Sequence, residues 1–164
     1  MNNIIQKRVE KLRVFMQNEN LDAFIVVSSD PHSSEYVADC WKSREWISGF
    51  DGSAGTVVVT ADKALLWTDS RYWLAAEKSL VGTGFDLMKD GAADTPSITA
   101  WLCANLSEGA SVGVDGTVCS IAETKAWNSE LSAAGIVLAA VTDPFAVIWD
   151  SRPKLPMGVV DILP

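Results

Sequence analysis

Three glycines, Gly49, Gly52 and Gly55, recur at a spacing of three and run straight into Val57-Val58-Val59. Glycine carries no Cβ, so such a loop can take positive φ angles or bring backbone close to another group. The β-branched run after it reads as a strand, and Thr60-Ala61-Asp62 turns the chain into a second apolar run, Ala64-Leu65-Leu66-Trp67. A hairpin preceded by a glycine loop follows from this order. It also excludes two chemistries. A phosphate-cradling loop needs strand, then glycines, then helix, so that free N–H groups point at the anion. A nucleophile elbow needs G-x-S-x-G followed by a helix, whereas Asp51 stands in the first glycine position before Ser53. Neither nucleotide binding nor a catalytic Ser53 is expected.

The second strand ends at Thr68-Asp69-Ser70, oxygen-bearing residues suited to capping a helix over Arg71 to Lys78. Arg71 then faces the positive end of the helix dipole, a cost on the order of 0.3–1 kcal/mol that something should offset. Two arrangements would do so: an ion pair with Asp69 or Asp51, or a guanidinium aimed at a carbonyl or carboxylate outside the domain.

Upstream, Ile4, Ile5, Val9, Leu12, Phe15 and Met16 recur at helical spacing between basic residues, the pattern of an amphipathic helix covering a sheet. Leu21 to Val27 is apolar enough for a central strand buried on both faces. Asp30 and Pro31 then read as the N-cap and first residue of a short helix ending near Glu35-Tyr36-Val37-Ala38. His32, the only histidine, lies just inside it. A lone histidine without further ligands makes no metal site, and a triad drawn from the neighbours Asp30, His32 and Ser33 lacks the geometry it needs. A capping or structural role is the reading of His32 from the residues alone. Trp41, Lys42, Arg44 and Trp46 lead into the glycine loop, with the tryptophans expected in the core and at its rim.

Downstream, Phe85 to Lys89 alternates like a strand, Thr95-Pro96-Ser97 opens a helix from Ile98 to Leu106, and Ser111 to Asp115 is a short strand. Ser120 and Glu123 form a capping box for a helix reaching Ala134, stopped by Gly135. Ile136 to Val141 is an apolar strand, and Asp143-Pro144 begins a final helical turn through Trp149. Prolines at 153 and 156 mark residues 151–164 as an interdomain linker, its last eight residues loosely held, and residues 1–150 as one domain. Strands alternating with helices predict an α/β fold, a three-layer α/β/α sandwich on a mixed sheet.

At 164 residues, 48 % hydrophobic, the chain has material for one autonomous core. A net charge of −8 disfavours nucleic acid and anionic membranes as partners. The amphipathic N-terminus is no signal peptide, and no apolar run spans a bilayer, so a soluble cytoplasmic protein is expected. Cys40, Cys103 and Cys119, odd in number and far apart, suggest neither disulfides nor a metal site.

The segments SDPHSSEY, WKSREWISGFDGSAGTVVVT, LLWTDSRYWLAAEKSL, VGVDG and IWDSRPKLP, in that order over about residues 22–156, resemble the N-terminal domain of three-domain, cytosolic-type aminopeptidase P (Xaa-Pro aminopeptidase). The resemblance implies a creatinase/prolidase-type N-terminal domain with a ribonuclease-H-like motif. It also implies a longer parent whose C-terminal domain holds two divalent metal ions, usually manganese, leaving no cofactor, catalytic residue or metal ligand in this chain. The parent's substrate would be a peptide with proline in second position, and its other domains would be partners, with a homodimer left open. Arg71 matches the Arg of the family's W-T-D-G/S-R-Y motif, which contacts bound peptide, and His32 would lie in a loop near the substrate channel. A pure protein-interaction module, resembling the aminopeptidase-like domain of histone chaperones, is the alternative from another class, and creatinase and prolidase are milder ones.

Overall fold

A computed structural model describes residues 2–155 together with 157 and 158. Six strands are laid down: β1 (Ala23–Val26), β2 (Thr56–Thr60), β3 (Ala64–Thr68), β4 (Asp86–Lys89), β5 (Ser111–Asp115) and β6 (Val137–Val141), in the sheet order β4-β3-β2-β1-β5-β6. Only β2 is antiparallel to its neighbours, since it pairs with β1 and β3 in opposite sense while β3–β4, β1–β5 and β5–β6 are parallel. The expected hairpin is β2–β3, and β1 is central. Every residue of β1 and β3 is buried, as are Val57 to Thr60 of β2. Strands buried on both faces require apolar cover on both sides.

The helices supply that cover. On one face lie α1 (Asn2–Asn18), α2 (Ser43–Ser48), α3 (Trp73–Ser79) and α6 (Phe145–Ile148), whose Ile5, Val9, Leu12, Ile47, Ala76 and Phe145 pack on Phe24, Val57 and Leu66. On the other lie α4 (Ile98–Asn105) and α5 (Ile121–Ala133), whose Leu102 and Leu131 pack on Ile25, Val58 and Leu65. The three-layer α/β/α sandwich on a mixed sheet is thus the observed fold. The apolar stripe of α1 is narrower than its sequence, for Ile4 turns outward at 51 % exposure. Arg13 of α1 ties the layers at the far edge, donating from Nε to the Thr60 carbonyl at 3.0 Å.

The caps follow the residues that encode them. Ser120 Oγ accepts from Glu123 N–H at 3.2 Å while the Glu123 carboxylate accepts from Ser120 N–H at 3.1 Å, and Gly135 ends the connection at φ +71°. Ser97 Oγ accepts from Ala100 N–H at 3.2 Å at the start of α4.

Two expectations fail upstream. Residues 31–38 form no helix: Asp30 Oδ1 accepts from the N–H groups of His32 at 2.9 Å and Ser34 at 3.0 Å, and Ser33 sits at φ +52°, outside the helical region. The cap closes a turn in place of a helix. Residues 39–48, expected as a lead-in, instead form a 3₁₀ turn (Asp39–Trp41) and then α2, which Gly49 terminates at φ +73°. In the expected linker, residues 151–155 are irregular, but Arg152 is fastened back, its Nε donating to the Cys40 carbonyl at 2.6 Å and its fork pairing with Asp143. Of the last eight residues, 159–164 lie outside the described residues, as does Pro156.

Phe24 and Gly113 are cross-strand partners, and a Cβ on Gly113 would stand 2.5 Å from Leu21 Cδ1 and 2.8 Å from Phe24 Cδ2. Gly113→Ala should therefore destabilise the chain by about 1–3 kcal/mol through overpacking, a loss that urea unfolding would register as a lower midpoint at unchanged slope.

Candidate functional site

Because β2 runs against the others, its first residues lie on the same edge of the sheet as the carboxyl ends of β1 and β3. Three loops meet there: Ser28 to Ser34 after β1, Gly49 to Gly55 before β2, and Asp69 to Tyr72 after β3. Carboxyl ends of strands are where open α/β sheets place ligands.

The glycine loop is held from beneath by Arg44 of α2. Its side chain, 5 % exposed, donates from Nε to Ser28 Oγ at 2.8 Å and from its two terminal nitrogens to the carbonyls of Phe50 and Gly52. Ser28 Oγ passes the connection on to the Gly55 carbonyl at 2.6 Å, and Thr68 Oγ1 donates to the Ala54 carbonyl at 2.7 Å. Burial pulls the Arg44 guanidinium below its ordinary value. Gly52 is required by close approach, since a Cβ there would stand 2.2 Å from the Phe50 ring and 2.9 Å from that of Tyr72.

Arg71 is not in a helix. It lies in the turn before α3, where Asp69 Oδ1 accepts from its N–H at 3.0 Å. It stays at the positive end of α3, one residue before the N-cap Tyr72, and an ion pair offsets the conflict with the helix dipole. Of the two carboxylates proposed for it, Asp69 is the partner: Arg71 Nε reaches Oδ1 at 2.9 Å and one terminal nitrogen reaches Oδ2 at 2.8 Å. That pair holds the Asp69 carboxyl below its usual range. The pair still faces solvent, with the Arg71 side chain 69 % exposed. Arg71 rests over the Tyr72 ring at 5.3 Å, and Tyr72 shares a hydrogen bond of 2.6 Å with Ser53. Ser53 has thus a phenol, not a general base, for partner.

His32 is exposed on the loop after β1, two strand positions from Arg71, so the two share an edge without meeting. The N–H groups of Ser34 and His32 keep the Asp30 carboxyl below its ordinary value, which fixes the backbone of this loop. A cleft of about 320 Å³ opens beside the glycine loop, lined among others by Tyr36, Trp41, Arg44, Asp51 and Gly52. Arg44 and Tyr72 are the site residues the sequence analysis passed over. The available signal was one arginine five residues before Gly49, the first glycine of the loop.

The cysteines are all free; Cys40 is buried and burial pushes the Cys119 thiol up to about 12, so it stays protonated. Among the described residues no group of three or more His, Cys, Asp and Glu side chains is placed to hold a metal ion, so the donors here do not fit a metal centre. No helix among them is long and apolar enough to cross a membrane.

Residues 8–148 match the model of the Creatinase/Prolidase N-terminal domain. The chain belongs to the creatinase/prolidase N-terminal domain family. Similar proteins agree with this: Xaa-Pro aminopeptidase 1 of Dictyostelium discoideum is 52 % identical over 116 residues, 71 % of this chain and 18 % of that protein. Xaa-Pro aminopeptidase 2 of Rattus norvegicus is 39 % identical over 159 residues, 96 % of this chain and 23 % of that protein. The crystal structure of X-prolyl aminopeptidase from Caenorhabditis elegans, described as a cytosolic enzyme with a di-nuclear active site, superposes at a TM-score of 0.87 and 32 % identity over 93 % of this chain and 26 % of that one. This creatinase/prolidase domain thus spans about a quarter or less of the relatives it matches.

On the same edge, Asp115 at the end of β5 is 6 % exposed, and burial raises its carboxyl above 3.8 despite bonds from Thr117 N–H and Oγ1. A raised folded value means that its favourable contribution is complete below 3.8 and is lost as pH climbs through the raised value. Asp115→Asn keeps the accepting oxygen and removes the charge. Thermal melts at pH 7 should show a raised Tm, with the difference vanishing near pH 3.

Proposed function

We propose that this domain is the N-terminal wall of the substrate cleft in a metal-dependent Xaa-Pro aminopeptidase, which releases the first residue from peptides whose second residue is proline. The reading rests on the state of Arg71. Asp69 occupies Nε and one terminal N–H, which leaves three of the five guanidinium donors without a protein partner among the described residues, on a side chain that is 69 % exposed. Asp69 therefore aims the fork and does not bury it, and a planar fork with free N–H groups suits a peptide carbonyl or terminal carboxylate. His32, exposed on the adjoining loop, is a second and weaker peptide contact.

The chemistry lies elsewhere in the parent. Two divalent metal ions, manganese by family resemblance, would be held by a C-terminal domain, in keeping with the di-nuclear site of the Caenorhabditis elegans relative. What the residues of this chain do is bind and orient: the edge around Arg71 restricts how the peptide lies, and restriction of that kind lowers the barrier through pre-paid entropy. A cytoplasmic parent belongs to the same proposal, supported by the description of the Caenorhabditis elegans relative as a cytosolic enzyme. The relatives' aminopeptidase names favour this reading over an interaction module that has lost catalysis.

In the full-length enzyme, Arg71→Lys should raise KM for an Xaa-Pro tripeptide about ten-fold with metal content unchanged, since an ammonium replaces a fork by a point charge. Asp69→Asn, which frees the guanidinium but keeps it, should raise KM less. Unchanged kinetics in Arg71→Lys would remove the basis of the reading.

A further inference from the structure

Arg44 is a buried cation whose hydrogen bonds all go to neutral oxygens, Ser28 Oγ and the Phe50 and Gly52 carbonyls, while the carboxylates of Glu45 and Asp51 act on its charge without bonding to it. Residues 50–55 have no ladder or helix to satisfy their own carbonyls, so something must. An apolar filler would be the simpler way to pack the space, since a desolvated charge is expensive and gains from burial only when each donor is met. What a guanidinium adds is direction: its donors lie in one plane at fixed angles, so the oxygens it holds are fixed relative to one another.

The held loop in turn fixes the Arg71 platform. Gly52 is wedged against the rings of Phe50 and Tyr72, with room for no side chain, and those rings meet edge-on with centroids 6.0 Å apart. Ser53, next in sequence, is bonded to the Tyr72 hydroxyl at 2.6 Å, and the Tyr72 ring lies under the Arg71 guanidinium at 5.3 Å. A shift of the loop is thus a shift of the surface on which Arg71 rests.

We infer that Arg44 is a positioning residue for the peptide contact at Arg71, acting through Gly52, Ser53 and Tyr72. The inference rests on the proposed role of Arg71, and it adds that the glycine loop serves peptide binding by holding the surface on which Arg71 rests. Removal of the Arg44 fork acts on binding through the geometry of the loop it holds.

The test is steady-state kinetics of the full-length enzyme on an Xaa-Pro tripeptide, with Tm recorded for each variant. Arg44→Lys keeps the charge and loses the fork; it should raise KM about five- to ten-fold with kcat within about two-fold. Arg44→Gln should raise KM further. Tyr72→Phe, which cuts the Ser53 bond at a half-exposed position, should move KM in the same direction, and it decides the matter if the Arg44 variants fail to fold. Because the residues act in one chain of contacts, Arg44→Lys combined with Arg71→Lys should raise KM no further than Arg71→Lys alone, and Tyr72→Phe in that background should likewise add nothing. A normal KM in Arg44→Lys and Tyr72→Phe, with Tm lowered or not, overturns the inference while an effect of Arg71→Lys keeps the cleft-wall reading. Multiplying effects in the double variants overturn it equally. An Arg71→Lys enzyme with unchanged KM overturns both.

Discussion

A guanidinium removed from water has to be met by oxygens, and at Arg44 the chain meets it with its own backbone. No carboxylate neutralises it within hydrogen-bond reach; Phe50, Gly52 and Ser28 supply the acceptors. For two carbonyls of one short loop to converge on one side chain, the loop must fold tightly over it, and that is where the glycines enter. Gly49 takes a left-handed φ of +73° to end α2, while Gly52 and Gly55 stand where a Cβ would meet the Phe50 ring at 2.2 Å and the Trp67 carbonyl at 3.0 Å. The glycine spacing and the buried arginine are two parts of one arrangement. Removing either leaves buried polar groups without partners, each at a cost of about 1–3 kcal/mol.

The direction of a single strand decides where that arrangement ends up. In a sheet of parallel strands, the loop entering a strand lies on the opposite edge from the loops leaving its neighbours. β2 is reversed between β1 and β3, so the loop that enters it shares an edge with the loops that leave them. Ser28, Arg44 and Ser53 come together with Asp69, Arg71 and Tyr72 for that reason, although the segments are up to 44 residues apart in sequence (Ser28 to Tyr72, 72 − 28). The hairpin is what makes the edge, and the flanking parallel strands fix its position in the sandwich.

Much of this was legible in the residues. Strand runs such as Val57-Val58-Val59 and Ala64 to Trp67 announce themselves by composition, and the capping box at Ser120 and Glu123 specifies its helix through local hydrogen bonds that need no tertiary partner. Arg71 stood out because a cation beside a helix start is a local conflict, and Asp69 was among its named partners. What escaped was set by contacts distant in sequence or by competition between equal local choices. Asp30 can cap a helix or close a turn, and the left-handed Ser33 decides for the turn. The six-residue α2 is too short for periodicity to show, and its Arg44 looks like a surface cation until Ser28 and the glycine loop are brought against it. Tyr72 likewise looks like one aromatic in a helical run until Ser53 is beside it.

The segment after α6 shows the same limit from the other side. Prolines exclude regular structure there, and regular structure is absent in residues 151–155, yet lack of a helix or ladder is not lack of attachment. Arg152 lies over the rings of Trp41 at 4.8 Å and Trp149 at 5.9 Å, donates to the Cys40 carbonyl and pairs with Asp143, a carboxylate only 14 % exposed. A partly desolvated ion pair with a second acceptor and two aromatic faces is stronger than a surface salt bridge, because less water competes for either charge. The turn it grips, Asp39–Trp41, runs directly into the helix that carries Arg44. The segment after α6 and the support of the glycine loop are therefore joined through one short run of backbone, by a second arginine that, unlike Arg44, is met by a carboxylate as well as a carbonyl.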